Sequence, residues 1–186
     1  VKFQFQSTQF PGLLVIDIPV YSDHRGWLTK IFEATPWKEY IPLDFKESYV
    51  SFSRPRVFRG LHFQNPPQGK LIVPIEGEFV DFAIDLRKNS PTFGKVHGIK
   101  LTRGRAIYVP RGMAHGMLAL TEVLYVAYQT EEYIPGGEGG VNWKSVESFV
   151  RDYIDELPII SDKDANLPPL SEVLQSSAFD IGMYPY

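Results

Sequence analysis

Arg59-Gly60-Leu61-His62-Phe63-Gln64 and, further along, Pro110-Arg111-Gly112-Met113-Ala114-His115-Gly116 decide how this chain is read. Each sets one histidine beside glycine, between apolar runs of strand character. Working outward, Lys70 to Ile75 is apolar and β-branched. Glu78 to Leu86 alternates, with Val80, Phe82, Ile84 and Leu86 on one face and Asp81 and Asp85 on the other. That period of two predicts a strand whose apolar face is core. Leu13 to Ile18, Ser48 to Ser53, Val96 to Leu101, Ala106 to Val109, His115 to Leu120 and Val123 to Thr130 read the same way. Turn residues punctuate them at Pro11-Gly12, Asp23-His24-Arg25-Gly26, Glu76-Gly77 and Ser90-Pro91-Thr92-Phe93-Gly94. Short strands with closely spaced turns predict an all-β sandwich or barrel, with the two histidines in one pocket.

The remaining segments are less regular. Residues 36–45 read as a loop or short helix, and Pro135 to Gly140 as a loop. Val146, Phe149, Val150 and Tyr153 have helical spacing, predicting a short helix over 145–154 capped by Ser145. Pro168-Pro169 opens a last helical turn through about Leu174, and the tail from Ser176 carries no clear pattern.

At 186 residues the chain is expected to form one domain, 1–186. The formal charge of −3 gives no general attraction to nucleic acid or anionic membrane. With no cysteine, disulfides, thiolate metal sites and cysteine nucleophiles are excluded. No stretch reaches membrane-spanning length and none reads as a secretory leader, so a cytoplasmic location is expected.

Paired histidines in a barrel invite a metal. Gly104 to His115 reads G-x5-P-x-G-x2-H, which resembles the second motif of the cupin superfamily of small β-barrels. The first cupin motif supplies H-x-H and a nearby carboxylate. Here His62-Phe63-Gln64 and Gln68 put amides in those places, and an amide oxygen is a poor ligand for zinc or iron. No metal and no other cofactor is therefore expected. The other chemistry open to this set is proton abstraction beside a ketone. It needs a base at carbon and donors at the oxygen where enolate charge develops. His62 suits the base; Lys70 and His115 suit the donors; Tyr133 suits an acid on the opposite face. Each has a bland reading too: His62 as a barrel histidine, Lys70 as a solvated strand end, Arg59 as a surface cation, Trp143 as core, Asp164 as a turn former.

The whole set resembles the dTDP-4-dehydrorhamnose 3,5-epimerase family, a metal-free branch of the cupins. The matching phrases are Arg59 to Gln64, Gln68-Gly69-Lys70-Leu71, Asp85-Leu86-Arg87 with Ser90 to Gly94, Pro110 to Gly116, and Ser161-Asp162-Lys163-Asp164. They run in family order. The resemblance implies a cupin jelly roll and cofactor-independent epimerisation at C3, C5 or both of a nucleotide-linked 4-keto-6-deoxysugar. Such a step serves deoxysugar biosynthesis, as for lipopolysaccharide O-antigen. It implies His62 as base held by Asp164, Tyr133 as acid, and Lys70 and His115 toward the keto oxygen. Arg59 would meet the diphosphate, and Gln64, Glu138 and Trp143 would line the sugar or nucleotide end. Arg25 would reach the nucleotide across a homodimer interface of exchanged N-terminal strands.

Two departures bear on specificity. Lys30 stands where the family usually has glutamate, and Glu47-Ser48-Tyr49 where it carries Gln-x-Asn. Hydrogen-bonding sites reject mismatched partners strongly, so a base other than thymine, such as cytosine, is an alternative. A metal-dependent cupin enzyme and a non-catalytic nucleotide-sugar binding module are the rival functions.

Overall fold

The computed structural model describes residues 2–176; the remainder of the C-terminal tail lies outside the described residues. Thirteen strands dominate. They are β1 (Gln4–Ser7), β2 (Leu14–Asp17), β3 (Val20–Asp23), β4 (Gly26–Thr29), β5 (Glu47–Ser53), β6 (Phe58–Gln64) and β7 (Lys70–Glu76). Then follow β8 (Glu78–Asp85), β9 (Val96–Thr102), β10 (Arg105–Val109), β11 (Met113–Ala119), β12 (Val123–Gln129) and β13 (Glu138–Gly140). The helices are short: α1 (Ala34–Tyr40), α2 (Glu147–Arg151), α3 (Asp162–Ala165) and α4 (Leu170–Ser176), with a 3-10 turn at Trp143–Val146.

Two antiparallel sheets face each other, ordered β1-β2-β10-β7-β12-β5 and β13-β6-β11-β8-β9. This is the all-β jelly-roll barrel that the alternation and the resemblance imply. Side chains on a strand alternate between faces, and the barrel interior takes one face of each. Phe79, Ala83, Met113, Met117, Tyr125 and Ala127 pack there with Phe10, Leu13 and Ile72. The other face of the five-stranded sheet is not solvated. Val80, Phe82, Ile84 and Leu86 pack outward under the C-terminal helical pieces, against Trp143, Val146, Val150 and Val173. Both faces of β8 are therefore buried, and Asp81 lies on the interior face between Phe79 and Ala83. The outer face of the six-stranded sheet is covered by α1, through Trp37 and Ile41 on Leu71, Val73 and Tyr108.

Three local expectations need correction. Residues 138–140 pair with Gln64, Phe63 and His62 as an added strand rather than a loop; a three-residue segment with two glycines shows no side-chain period. The helix at 147 is preceded by a 3-10 turn capped by Asn142, whose side chain accepts the Lys144 N–H, and Ser145 instead accepts the Leu170 N–H. Asp164 sits in α3, capped by Ser161. The Nε2 of His97 is buried and its ring stands edge-on to Phe10.

Candidate active site

β6 and β11 pair antiparallel and approach closely at a register shift, and glycine makes the approach possible. A Cβ on Gly60 would lie 2.7 Å from Gly116 Cα and from His115 O, and its φ is +113°. The register then sets His62 directly across from His115. At this end of the barrel the interior face turns polar. His62 and Gln64 come from β6, Lys70 from β7, Asp81 from β8 and His115 from β11. Glu47 and Tyr49 come from β5, Gln129 from β12. All but the fully buried Asp81 line two adjoining hollows of about 320 Å³ each, which share Tyr49, His62, Lys70 and Lys163. A larger apolar hollow beneath α1 lies on the opposite face of the six-stranded sheet and touches this set only at Glu47.

His62 Nε2 stands 2.7 Å from Asp164 Oδ1. The other carboxylate oxygen accepts the Gly60 N–H at 3.0 Å. Burial alone would raise the Asp164 carboxyl; the hydrogen bonds from His62 and Gly60 outweigh it and hold it below the usual range. An ionised carboxylate on Nε2–H leaves the lone pair on Nδ1.

Lys70 is 8% exposed. Burial lowers its ammonium to about 8, against an opposing pull from Asp81. His115 Nε2 lies 2.7 Å from Asp81 Oδ2, both buried. Asp81 is the site residue that sequence reasoning missed: its place in an alternating strand reads as core pattern alone. Lys163 was also passed over, although it sits in the Ser161–Asp164 phrase; it pairs with Glu138 at 3.0 Å.

Tyr133 is exposed and lines the same hollow as His62. Its phenol is held up, first by a hydrogen bond to Glu138. Tyr49 is raised as well, mainly by burial. Arg59 lines the inner hollow, with Nε on Ser53 Oγ and Nη2 on the Phe52 carbonyl.

Several expected site residues stand elsewhere. Trp143 does not line either hollow; it is 6% exposed in the outer core, its ring 6.4 Å from Phe58. Gln64 lines the hollow, but its amide is committed: Oε1 accepts Ile134 N–H and Nε2 donates to Glu132 O. The Glu47 carboxylate likewise accepts Tyr133 N–H at 2.6 Å. Arg25 lies on the exposed β3–β4 hairpin, paired with Asp23. Lys30 pairs with Glu33 and lines neither hollow. No cluster of three histidine, aspartate or glutamate side chains able to hold a metal occurs among the described residues. No helix among them is long and apolar enough to cross a membrane.

A carboxylate-held histidine, a buried ammonium and a phenol around one hollow suit proton removal and return at a carbon beside a ketone. Comparison with known proteins agrees in kind. The family model described as dTDP-4-dehydrorhamnose 3,5-epimerase matches residues 7–172. The dTDP-4-dehydrorhamnose 3,5-epimerase of Methanothermobacter thermautotrophicus is 39% identical, covering 92% of this chain and 96% of its own. The crystal structure of that enzyme from Sulfolobus tokodaii superposes with a TM-score of 0.82 at 33% identity, over 97% of this chain and 100% of the other. The Legionella pneumophila enzyme, solved with dTDP-4-keto-L-rhamnose, gives a TM-score of 0.85 at 29% identity, over 96% and 98%.

Proposed function

Because the chain belongs to the dTDP-4-dehydrorhamnose 3,5-epimerase family, we propose that its polar hollow takes a dTDP-linked 4-keto-6-deoxysugar and that His62 and Tyr133 move its protons. The protein is an isomerase, an epimerase of nucleotide-linked 4-keto-6-deoxysugars in deoxysugar biosynthesis. The observation that carries the mechanism is the 2.7 Å His62–Asp164 contact in a hollow that Tyr133 also lines. His62 Nδ1 takes the proton from the carbon next to the ketone. Asp164 fixes the tautomer and stabilises the imidazolium. The electron pair moves onto the keto oxygen, where the Lys70 ammonium meets the enolate charge, with His115, held by Asp81, lining the hollow beside it. Tyr133 then gives its proton to the opposite face of the carbon, which inverts the centre. Solvent restores the phenol and removes the proton from His62.

This route uses no metal or organic cofactor. Gln64 supports it, since its amide is spent on the backbone of the Tyr133 loop. Arg59 is placed to meet the diphosphate through its guanidinium. Thymidine is the preferred nucleoside. The departure at Glu47 gives no reason for another base, because that carboxylate already accepts the Tyr133 N–H.

The active form is proposed to be a homodimer with exchanged N-terminal strands. The β3–β4 hairpin exposes Tyr21, Trp27 and Leu28, and the edge strand β5 exposes Val50 and Phe52. An open apolar edge of this kind calls for a partner strand. Docking there would bring Arg25 of one copy toward the other's nucleotide end.

Turnover of dTDP- and CDP-linked 4-keto-6-deoxyglucose by EDTA-dialysed protein tests the reading. Full activity on the dTDP sugar without added metal is expected. Activity that appears only when iron, manganese or zinc is restored would replace it with the metal-dependent cupin. Binding with no turnover of either sugar would leave a binding module.

A further inference from the structure

Tyr133 presents an unusual combination. Its side chain is 51% exposed and lies beyond the end of β12, yet the backbone around it is tied down on successive residues. Gln68 Nε2 donates to Glu131 O at 2.7 Å, and Gln64 Nε2 to Glu132 O at 3.2 Å. Glu47 Oε2 accepts Tyr133 N–H at 2.6 Å, and Gln64 Oε1 accepts Ile134 N–H at 2.9 Å. One residue upstream, Thr130 N–H reaches Gly69 O while its hydroxyl accepts Gly69 N–H. Gln68 is itself fixed by Gln129 at 2.9 Å.

Loops as polar as Glu131-Glu132-Tyr133 are ordinarily solvated and mobile. Here side chains from β5, β6 and the segment just before β7 hold the loop, and β6 and β7 also carry His62 and Lys70. The same scaffold thus fixes base, buried ammonium and phenol in one frame. Gln64 is two residues from His62 on β6, and Glu47 two from Tyr49 on β5, so each shares an inward face with a site residue.

Building on the roles given above for His62 and Tyr133, we infer that Glu47 and Gln64 are positioning residues which clamp the Tyr133 backbone and thereby decide whether the enolate is protonated on its second face. Neither need touch the sugar. With the clamp intact, Tyr133 reaches the face opposite His62. With it released, the enolate persists long enough for His62 to return a solvent proton to the face it came from. The signature is hydrogen exchange without inversion. Reactive groups tolerate little displacement, and shifts of about 1 Å cost on the order of 100-fold in rate.

The test is proton NMR in deuterated water with dTDP-4-keto-6-deoxyglucose, following deuterium incorporation and inverted product separately. The variants are Glu47→Leu, Glu47→Gln and Gln64→Leu, each alone and in a Tyr133→Phe background. Glu47→Leu and Gln64→Leu are expected to lower inversion about tenfold or more relative to exchange. Glu47→Gln keeps an acceptor oxygen and is expected to restore the wild-type ratio. In the Tyr133→Phe background all three should add nothing further. Glu47 is on a partly exposed edge strand, so Glu47→Leu remains informative if Gln64→Leu does not fold. The inference is overturned if Glu47→Leu slows exchange and inversion equally, changes neither, or adds its full effect to Tyr133→Phe. Absence of exchange in the wild type would instead overturn the proposed function.

Discussion

Lys70 is where stability and chemistry are most directly opposed. Its ammonium titrates near 8 when folded, against 10.5 for the free side chain, because burial disfavours the charge. A lowered lysine binds fewer protons folded than unfolded between those values. The burial cost is therefore fully present below pH 8 and is relieved as pH rises toward 10.5. Lys70→Met removes the cost at neutral pH. The variant is expected to be more stable than wild type by up to about 3 kcal/mol at pH 7, with the gap closing above pH 8. Urea unfolding across that range checks it. The same variant should lose ~100–1,000-fold in kcat, the scale of one donor to a developing oxyanion. In the wild type, kcat should fall as pH rises through about 8, as the ammonium is lost. Asp164→Asn is expected to cost less than His62→Ala, since the base remains although its tautomer is no longer held. The residues of this set were legible wherever chemistry repeats a phrase: His62, Lys70 and Asp164 stand in short polar motifs. Asp81 was not, because an acid inside an alternating strand looks like its solvent face until the second covering layer is known. Trp143 misled for the opposite reason, being a residue type equally at home in a core and at a ligand.

Among the elements, the β6–β11 pairing carries the geometry. The 2.7 Å approach that a Gly60 Cβ would make to backbone on β11, at a positive φ, leaves no rotamer to relieve it. Gly60→Ala is expected to destabilise by about 2–4 kcal/mol, lowering the melting temperature by roughly 5–15 °C for a chain of this size. It should also weaken the Asp164 contact, because Gly60 N–H is one of that carboxylate's donors. Differential scanning calorimetry reads the first effect and kcat the second. The long strands were readable from period two alone. β13 was not, for its pairing with β6 is made by backbone and its sequence is largely glycine. The outward apolar residues of β8 were assigned to core correctly, but to a core on the far side of the sheet from the site.

For the whole molecule, the β3–β4 hairpin and the β5 edge each expose apolar side chains, with Leu28 64% and Val50 67% exposed. Leu28→Asp together with Val50→Lys is expected to shift sedimentation from dimer to monomer and to weaken nucleotide-sugar binding at least tenfold. Unchanged sedimentation would place the partner surface elsewhere. The architecture was legible because an alternating chain with regular turns has few ways to bury both faces. The proposed assembly rests on the resemblance, since no single-chain pattern states which exposed strand finds a partner. Above all of this stands one claim, that His62 removes and Tyr133 returns the proton. It is tested most directly by proton NMR of dTDP-4-keto-6-deoxyglucose in deuterated water with the wild type, His62→Ala and Tyr133→Phe. Exchange with inversion in the wild type, no exchange in His62→Ala, and exchange without inversion in Tyr133→Phe is the expected result. Near-wild-type inversion by either variant would contradict it.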